Sequence, residues 1–194
     1  MLVGILALVG ATAGAQESST KTPRFAWTSS DLAMTFTTEQ SKTFPGSGGN
    51  FFALGGSIDA GATFLHGWGW AGNITVEHAS RIAPGFNLRE TDIMTGPRYT
   101  YRKGGKHENR LFGELFVGEA HATDPLFPTS KGFTDKANAF AWQAGGGWDL
   151  SLSKHFALRA IEVDFVRTYL PNGGSNNQNH IRLAVGLEYH IPNH

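Results

Sequence analysis

Residues able to do chemistry fall into three groups in this chain, and the first is Glu77-His78-Ala79-Ser80. An acid, an imidazole and a hydroxyl lie there within four positions, the ingredients of nucleophilic catalysis. A triad is defined by geometry, however, and nearness in sequence does not supply it. His121 and Thr123 make a thinner version of the same pairing. The second group is the eight histidines, which are scattered. Their one i, i+4 pair, His190 with His194, would converge only on a helix, and Pro192 prevents one. With no cysteine in the chain, thiolate metal sites and disulfides are excluded. The Gly-rich stretches GSGG and NGGS open no helix and cradle no phosphate. These patterns predict no catalytic residue, no metal site and no cofactor.

The third group is charged: Glu77, Asp92, Arg98, Glu114, Glu162, Asp164, Arg182 and Glu188, each with a large apolar neighbour on at least one side. Their spacing is explained by the elements that must carry them. In the last segment Ile181, Leu183, Val185, Leu187 and Tyr189 alternate with Arg182, Ala184, Gly186, Glu188 and His190. Such strict alternation is the mark of a strand with two different faces. Seven earlier segments repeat it, centred on Met34, Ile58, Ile74, Ile93, Leu115, Trp142 and Val163. No segment has a convincing helical period. Eight strands of roughly ten residues, even in number, fit an antiparallel up-and-down transmembrane β-barrel.

In that barrel the charged face is the inside. Counting from the KGGKHEN turn sets Arg98 opposite Glu114, and counting from the last loop sets Asp164 diagonal to Arg182. Buried ions are tolerable only when paired, so the expectation is a polar network that plugs the lumen. Gly61, Gly96, Gly118, Gly145, Gly147, Ala184 and Gly186 would give it room. Trp68, Trp70, Tyr99, Tyr101, Trp148, Tyr169 and Tyr189 fall near strand ends, as aromatics of two membrane-interface girdles do. A soluble lipocalin-like ligand binder is the rival eight-stranded barrel, but it needs charge outside and apolar residues inside.

Links one, three, five and seven are longer than links two, four and six, which places both termini on the periplasmic side. The outer loops would be residues 41–50, 80–88, 121–137 and 170–179. In the third of these, Pro125, Phe127, Pro128 and Phe133 are candidate contact residues, or else they pack over the barrel mouth. His66, His107 and His155 fall at the short turns. Residues 1–15, MLVGILALVGATAGA, read as a signal peptide ending in Ala13-Gly14-Ala15, although no basic residue precedes the apolar run. Residues 16–194 are then one barrel domain with no further linker or domain. Sixteen basic residues balance sixteen acidic ones without a basic stripe, so a nucleic-acid partner is not indicated.

The stretches AFAWQAGGGWDLSLSKHFALRAIEVDFVRTYL and NNQNHIRLAVGLEYHI carry a resemblance to the opacity/OmpA-type family of outer-membrane β-barrels. It extends over most of residues 16–194 and is strongest from Ala139 to Ile191. Gly186, Tyr189 and Ile191 resemble the C-terminal signal read by the barrel-assembly machinery, with Ala184 where a polar residue is usual and Pro192-Asn193-His194 in place of a terminal aromatic. The resemblance implies a monomer in the bacterial outer membrane, in contact with its lipid, with a structural or adhesion-like role and a possible extracellular ligand at the loops. Some barrels of this size modify lipid A, but no His-x-Ser-Asn pattern follows His78. A narrow pore for small solutes is a further alternative.

Overall fold

The computed structural model describes residues 29–42, 50–83, 86–103, 109–129, 132–172 and 176–192. The signal-peptide expectation for residues 1–15 lies outside them. Eight strands follow in order: β1 (Ser29–Lys42), β2 (Asn50–Leu65), β3 (Trp68–Ala83), β4 (Phe86–Lys103), β5 (Asn109–Thr129), β6 (Gly132–Ser151), β7 (Phe156–Thr168) and β8 (Gln178–Pro192). Each pairs with its sequence neighbour, and β8 returns antiparallel to β1, closing the barrel. Closure leaves no sheet edge around the barrel wall, which a strand-built membrane protein requires.

Two-residue periodicity decides which side chain goes where. Along β1, Ala33, Thr35, Thr37 and Glu39 are buried, while Leu32, Met34 and Phe36 face outward. Along β8, Arg182, Ala184 and Glu188 point in and Ile181, Leu183, Val185 and Leu187 point out. The polarity is the reverse of a lipocalin's: the outside is apolar and the inside charged. Trp70, on the outside, donates its indole N–H to Thr95 Oγ1 at 2.8 Å, so that a polar atom on the apolar face has a partner.

The β2–β3 turn is two residues, His66 and Gly67, both with positive φ (46° and 92°). That is the conformation a tight hairpin needs to match the strand twist. This end of the barrel also holds the other short connections and the two terminal strand ends, Ser29 and Pro192. We refer to it as the terminal end, and to the opposite one as the loop end.

At the loop end two of the expected links are largely strand. Residues 80–88 continue β3 to Ala83 and β4 from Phe86, and residues 121–137 continue β5 to Thr129 and β6 from Gly132. The prolines at 125 and 128 suggested a loop, but β5 pairs with β4 only as far as Thr123. Beyond that point one side of β5 is free of a β4 ladder, and proline is tolerated on an edge. A register shift between Thr123 and Phe127 absorbs the irregularity. Residues 43–49 and 173–175 of the first and fourth loops lie outside the described residues; their flanks are Lys42 and Asn50, and Asn172 and Asn176.

The glycines divide into two kinds. A Cβ at Gly145 would lie 1.9 Å from Asp164 Oδ1, and one at Gly147 would lie 2.7 Å from the Phe112 ring, so these two make room for luminal side chains as well as for the carbonyls of Val163 and Ile161, each 2.6 Å away. At Gly186, Gly96 and Gly118 the obstruction is backbone instead: a Cβ would meet the carbonyls of Met34, Leu115 and Ile93 at 2.0–2.1 Å. Close strand approach, not luminal space, is what requires glycine at these three.

An outward face that meets lipid makes a specific demand on β8. Val185→Arg, at an outward position half exposed in the free chain, should cost about 2–4 kcal/mol if placed near the bilayer midplane. On a water-facing surface the same change should stay within about 0.5 kcal/mol. Urea unfolding of the variant in lipid vesicles separates the two.

Candidate functional site

Among the described residues ten acidic side chains are buried, against four basic ones, Arg98, Arg110, Arg159 and Arg182. Among these residues charge chemistry is concentrated in the lumen, and its arginines organise it. All eight residues expected there, Glu77, Asp92, Arg98, Glu114, Glu162, Asp164, Arg182 and Glu188, are buried.

In the terminal half, Arg98 stands opposite Glu114 in the β4–β5 register and contacts its Oε2 at 2.7 Å. The same guanidinium reaches Asp59 Oδ1 at 2.9 Å and Asp31 Oδ1 at 3.2 Å. Arg159 holds Asp149 at 3.1 Å, Glu162 at 3.0 Å and Glu188 at 3.5 Å. Arg110 reaches the other oxygen of Glu188 at 2.7 Å. Both Arg98 and Arg159 lie over the Phe112 ring, with guanidinium carbons 5.0 and 4.4 Å from its centroid. The ring face is electron-rich, so it favours the two cations beside it. A polar cavity lies among Asp31, Arg98, Arg102, Arg110, Asp149 and Glu188 at this mouth.

In the loop half, Arg182 is the hub. Its Nη2 lies 2.5 Å from Asp92, 2.8 Å from Glu39 and 3.1 Å from Glu77. Gln143 bridges the halves: it donates to Glu114 at 2.9 Å, and its carbonyl lies 3.4 Å from both Asn73 Nδ2 and Arg182 Nη1. Across the lumen from these ions, Met94, Phe116, Ala120, Ala122, Ala141, Val166, Phe127 and Leu170 form an apolar cluster. The loop half is thus filled by charge on one wall and by hydrocarbon on the other.

Asp164 departs from expectation. It is directly opposite Arg182 in the β7–β8 register, not diagonal, yet Arg182 turns toward Glu39, Glu77 and Asp92, and Asp164 Oδ1 has no hydrogen bond. Arg159 was not anticipated at all. By strict alternation it shares the outward face of Ile161 and Val163, but a β-bulge shifts the register between Arg159 and Glu162. The extra residue re-aims Arg159 into the lumen. Asp59, Asp149, Glu39 and His180 share the inward parity of their strands.

Among the aromatics, Trp68, Trp70, Tyr99, Tyr101, Trp148, Tyr169 and Tyr189 all face outward. They do not divide into two even girdles. Six stand on the terminal side of the barrel, where Trp68 packs on Tyr99 at 5.1 Å and Tyr189 on Phe156 at 5.2 Å. Tyr169 alone of the seven is at the loop end, against Phe140. The four contact candidates separate as well. Phe127 is buried in the apolar cluster and Pro128 is half-buried, whereas Phe133 is 71% exposed. The side chain of Pro125 lies outside the described residues.

His78 and Ser80 are both exposed on the outer face of β3 and share a hydrogen bond, Ser80 Oγ to His78 Nε2, at 3.2 Å. Glu77 is buried in the lumen on the other side of the sheet. No carboxylate among the described residues bonds to His78. His121 Nδ1 bonds Asn138 Oδ1 on the same outer surface.

Removing a hub arginine should leave its carboxylates buried without compensation, at a cost of about 3–5 kcal/mol. Arg159→Met is therefore expected to lower the urea midpoint of the refolded protein strongly. Arg89→Met, at an exposed position, should change it by no more than about 0.5 kcal/mol.

No protein-family model matches the sequence, and a search of curated proteins finds no relative. Among solved structures the chain is similar to Ail, the attachment invasion locus protein of Yersinia pestis, crystallised in complex with the heparin analogue sucrose octasulfate. That match has 14% identity and a TM-score of 0.52, covering 84% of this chain and 98% of that one. It is also similar to Neisserial surface protein A, with 13% identity and a TM-score of 0.58, over 82% of this chain and 96% of that one. At these identities the likeness speaks for the fold, and in fold the chain is an eight-stranded antiparallel barrel of the outer-membrane type, the architecture its resemblance to the opacity/OmpA-type family implied.

Proposed function

We propose that this protein is an integral bacterial outer-membrane barrel whose lumen is plugged by paired side chains and whose role is structural or surface-interacting, not catalytic. The observation that carries the reading is the inverted polarity: a charged, filled interior inside a wall of outward Leu, Ile, Val, Phe and Trp. Such an outer wall is stable in hydrocarbon and a liability in water. The arginine hubs and the Phe127–Leu170 cluster leave solute no wide path through the centre. A lipid-modifying activity gains little support, because the His78–Ser80 pair has its nearest sequence acid on the opposite face of the sheet.

Contact with partners falls to the loop end. There β5 and β6 run on together past the end of the β4 ladder at Thr123 and the β7 ladder at Ala141. The resulting hairpin carries Phe133 outward near its tip, an apolar ring with no core to fill. With the termini on the periplasmic side, this hairpin faces the cell exterior.

The test is topological and electrical. An epitope inserted between Ser130 and Lys131 should be labelled on intact cells, and the wild-type protein should show no steady conductance in planar bilayers. Labelling only after permeabilisation contradicts the orientation, and a steady conductance would replace the plugged barrel with the narrow-pore reading.

A further inference from the structure

We propose that Glu39, Glu90 and His180 form a luminal binding site for one divalent transition-metal cation of the zinc class. The three come from β1, β4 and β8, all close to the loop end. Each is buried, and one donor atom from each lies within 4.8 Å of the other two. Donors that share one tetrahedral zinc ion at about 2.1 Å lie about 3.4 Å apart. Side-chain rotations that move the donor atoms by about an ångström would therefore close the site.

The reason to expect a cation there is an imbalance that the rest of the lumen lacks. A comparable carboxylate trio, Asp59, Glu114 and Glu162, is already served by Arg98 and Arg159. In the loop half, Arg182 is shared by Glu39, Glu77 and Asp92, and does not contact Glu90. Glu90 is only 6% exposed, and forms no hydrogen bond or ion pair among the described residues. It stands directly opposite Glu77 in the β3–β4 register, a like-charged cross-strand pair that is unfavourable by itself.

A second observation comes from the polar atoms around the trio. His180 Nδ1 lies 2.7 Å from Glu39 Oε1, an ion-pair contact within the trio that is not aligned as a hydrogen bond. Its other nitrogen, Nε2, is 3.4 Å from Thr168 Oγ1, the kind of contact that orients a ligating imidazole. Thr37 Oγ1 and Glu77 Oε1, both buried and without a hydrogen bond, lie on the same inward face two residues from Glu39 and opposite Glu90. One neutral imidazole with two carboxylates is a donor set for zinc or a similar borderline cation, not for magnesium, which prefers oxygen alone.

The experiment uses the full chain refolded in detergent micelles, stripped with chelator and titrated with Zn²⁺ by calorimetry. Refolding with Zn²⁺ present and then counting bound metal covers the case of slow entry. One zinc per chain is expected, weakened on the order of tenfold or more in both Glu90→Gln and His180→Gln. His155→Gln, at an exposed turn, should bind as the wild type does. The gel shift between unboiled and boiled samples reports that each variant is folded, and Glu90→Gln removes a like charge, so it should refold. No stoichiometric zinc in the wild type by either route would overturn the proposal. Equal affinity in folded Glu90→Gln and His180→Gln would overturn it too, leaving a shared proton as what offsets the Glu77–Glu90 pair.

Discussion

Everything else described in this molecule depends on how four buried arginines hold most of the carboxylates buried with them inside a closed sheet. An ion taken from water loses several kcal/mol of hydration, which only well-placed opposite charge and hydrogen bonds can offset. Arg98, Arg159 and Arg182 meet that demand by contacting three or more carboxylates each, on strands distant in sequence. Arg182 on β8 reaches β1, β3 and β4, so its contacts cross the lumen and cannot form until the barrel has closed. The network thereby specifies one closed register. A one-residue slip of any strand would carry its charges to the lipid side.

The two faces of the wall reinforce one another. Apolar residues outside gain from lipid contact only if every polar side chain goes inside, and the inside holds them only because the arginines are there. Small residues set how tightly this can be done: Gly145 admits Asp164 and Gly147 admits Phe112, while Gly186 lets β8 lie close against β1. The filling is uneven around the circumference. Phe116, Val166, Phe127 and Leu170 fill the wall opposite the Arg182 hub, and this crowds the loop-end charges toward β1, β3, β4 and β8.

Much of this was legible in the sequence because the side-chain period of a strand is two and the segments were long. The eight strands, the inward set from Glu77 to Glu188 and the pairing of Arg98 with Glu114 follow from counting alone. What counting missed has physical causes. A bulge between Arg159 and Glu162 inverted the parity on which Arg159 would have been placed outside. Two prolines made the β5–β6 hairpin look like a loop, although proline on an edge need not end a strand. The contacts of Arg182 with Glu39 and Glu77, and the convergence of His180 with Glu90, are set by the curvature of the closed sheet and have no short-range trace. For the same reason sequence spacing carries no trace of the Glu39, Glu90 and His180 trio, which comes from three strands.

The central claim is that the apolar wall faces lipid, and the tryptophans can report on it directly. Trp68, Trp70 and Trp148 are each at least 40% exposed on the outer surface. Their fluorescence should be measured in vesicles with and without bromine on the acyl chains. Strong quenching by brominated lipid is the result this account predicts. Unquenched emission from a protein that stays folded in water without lipid would contradict it.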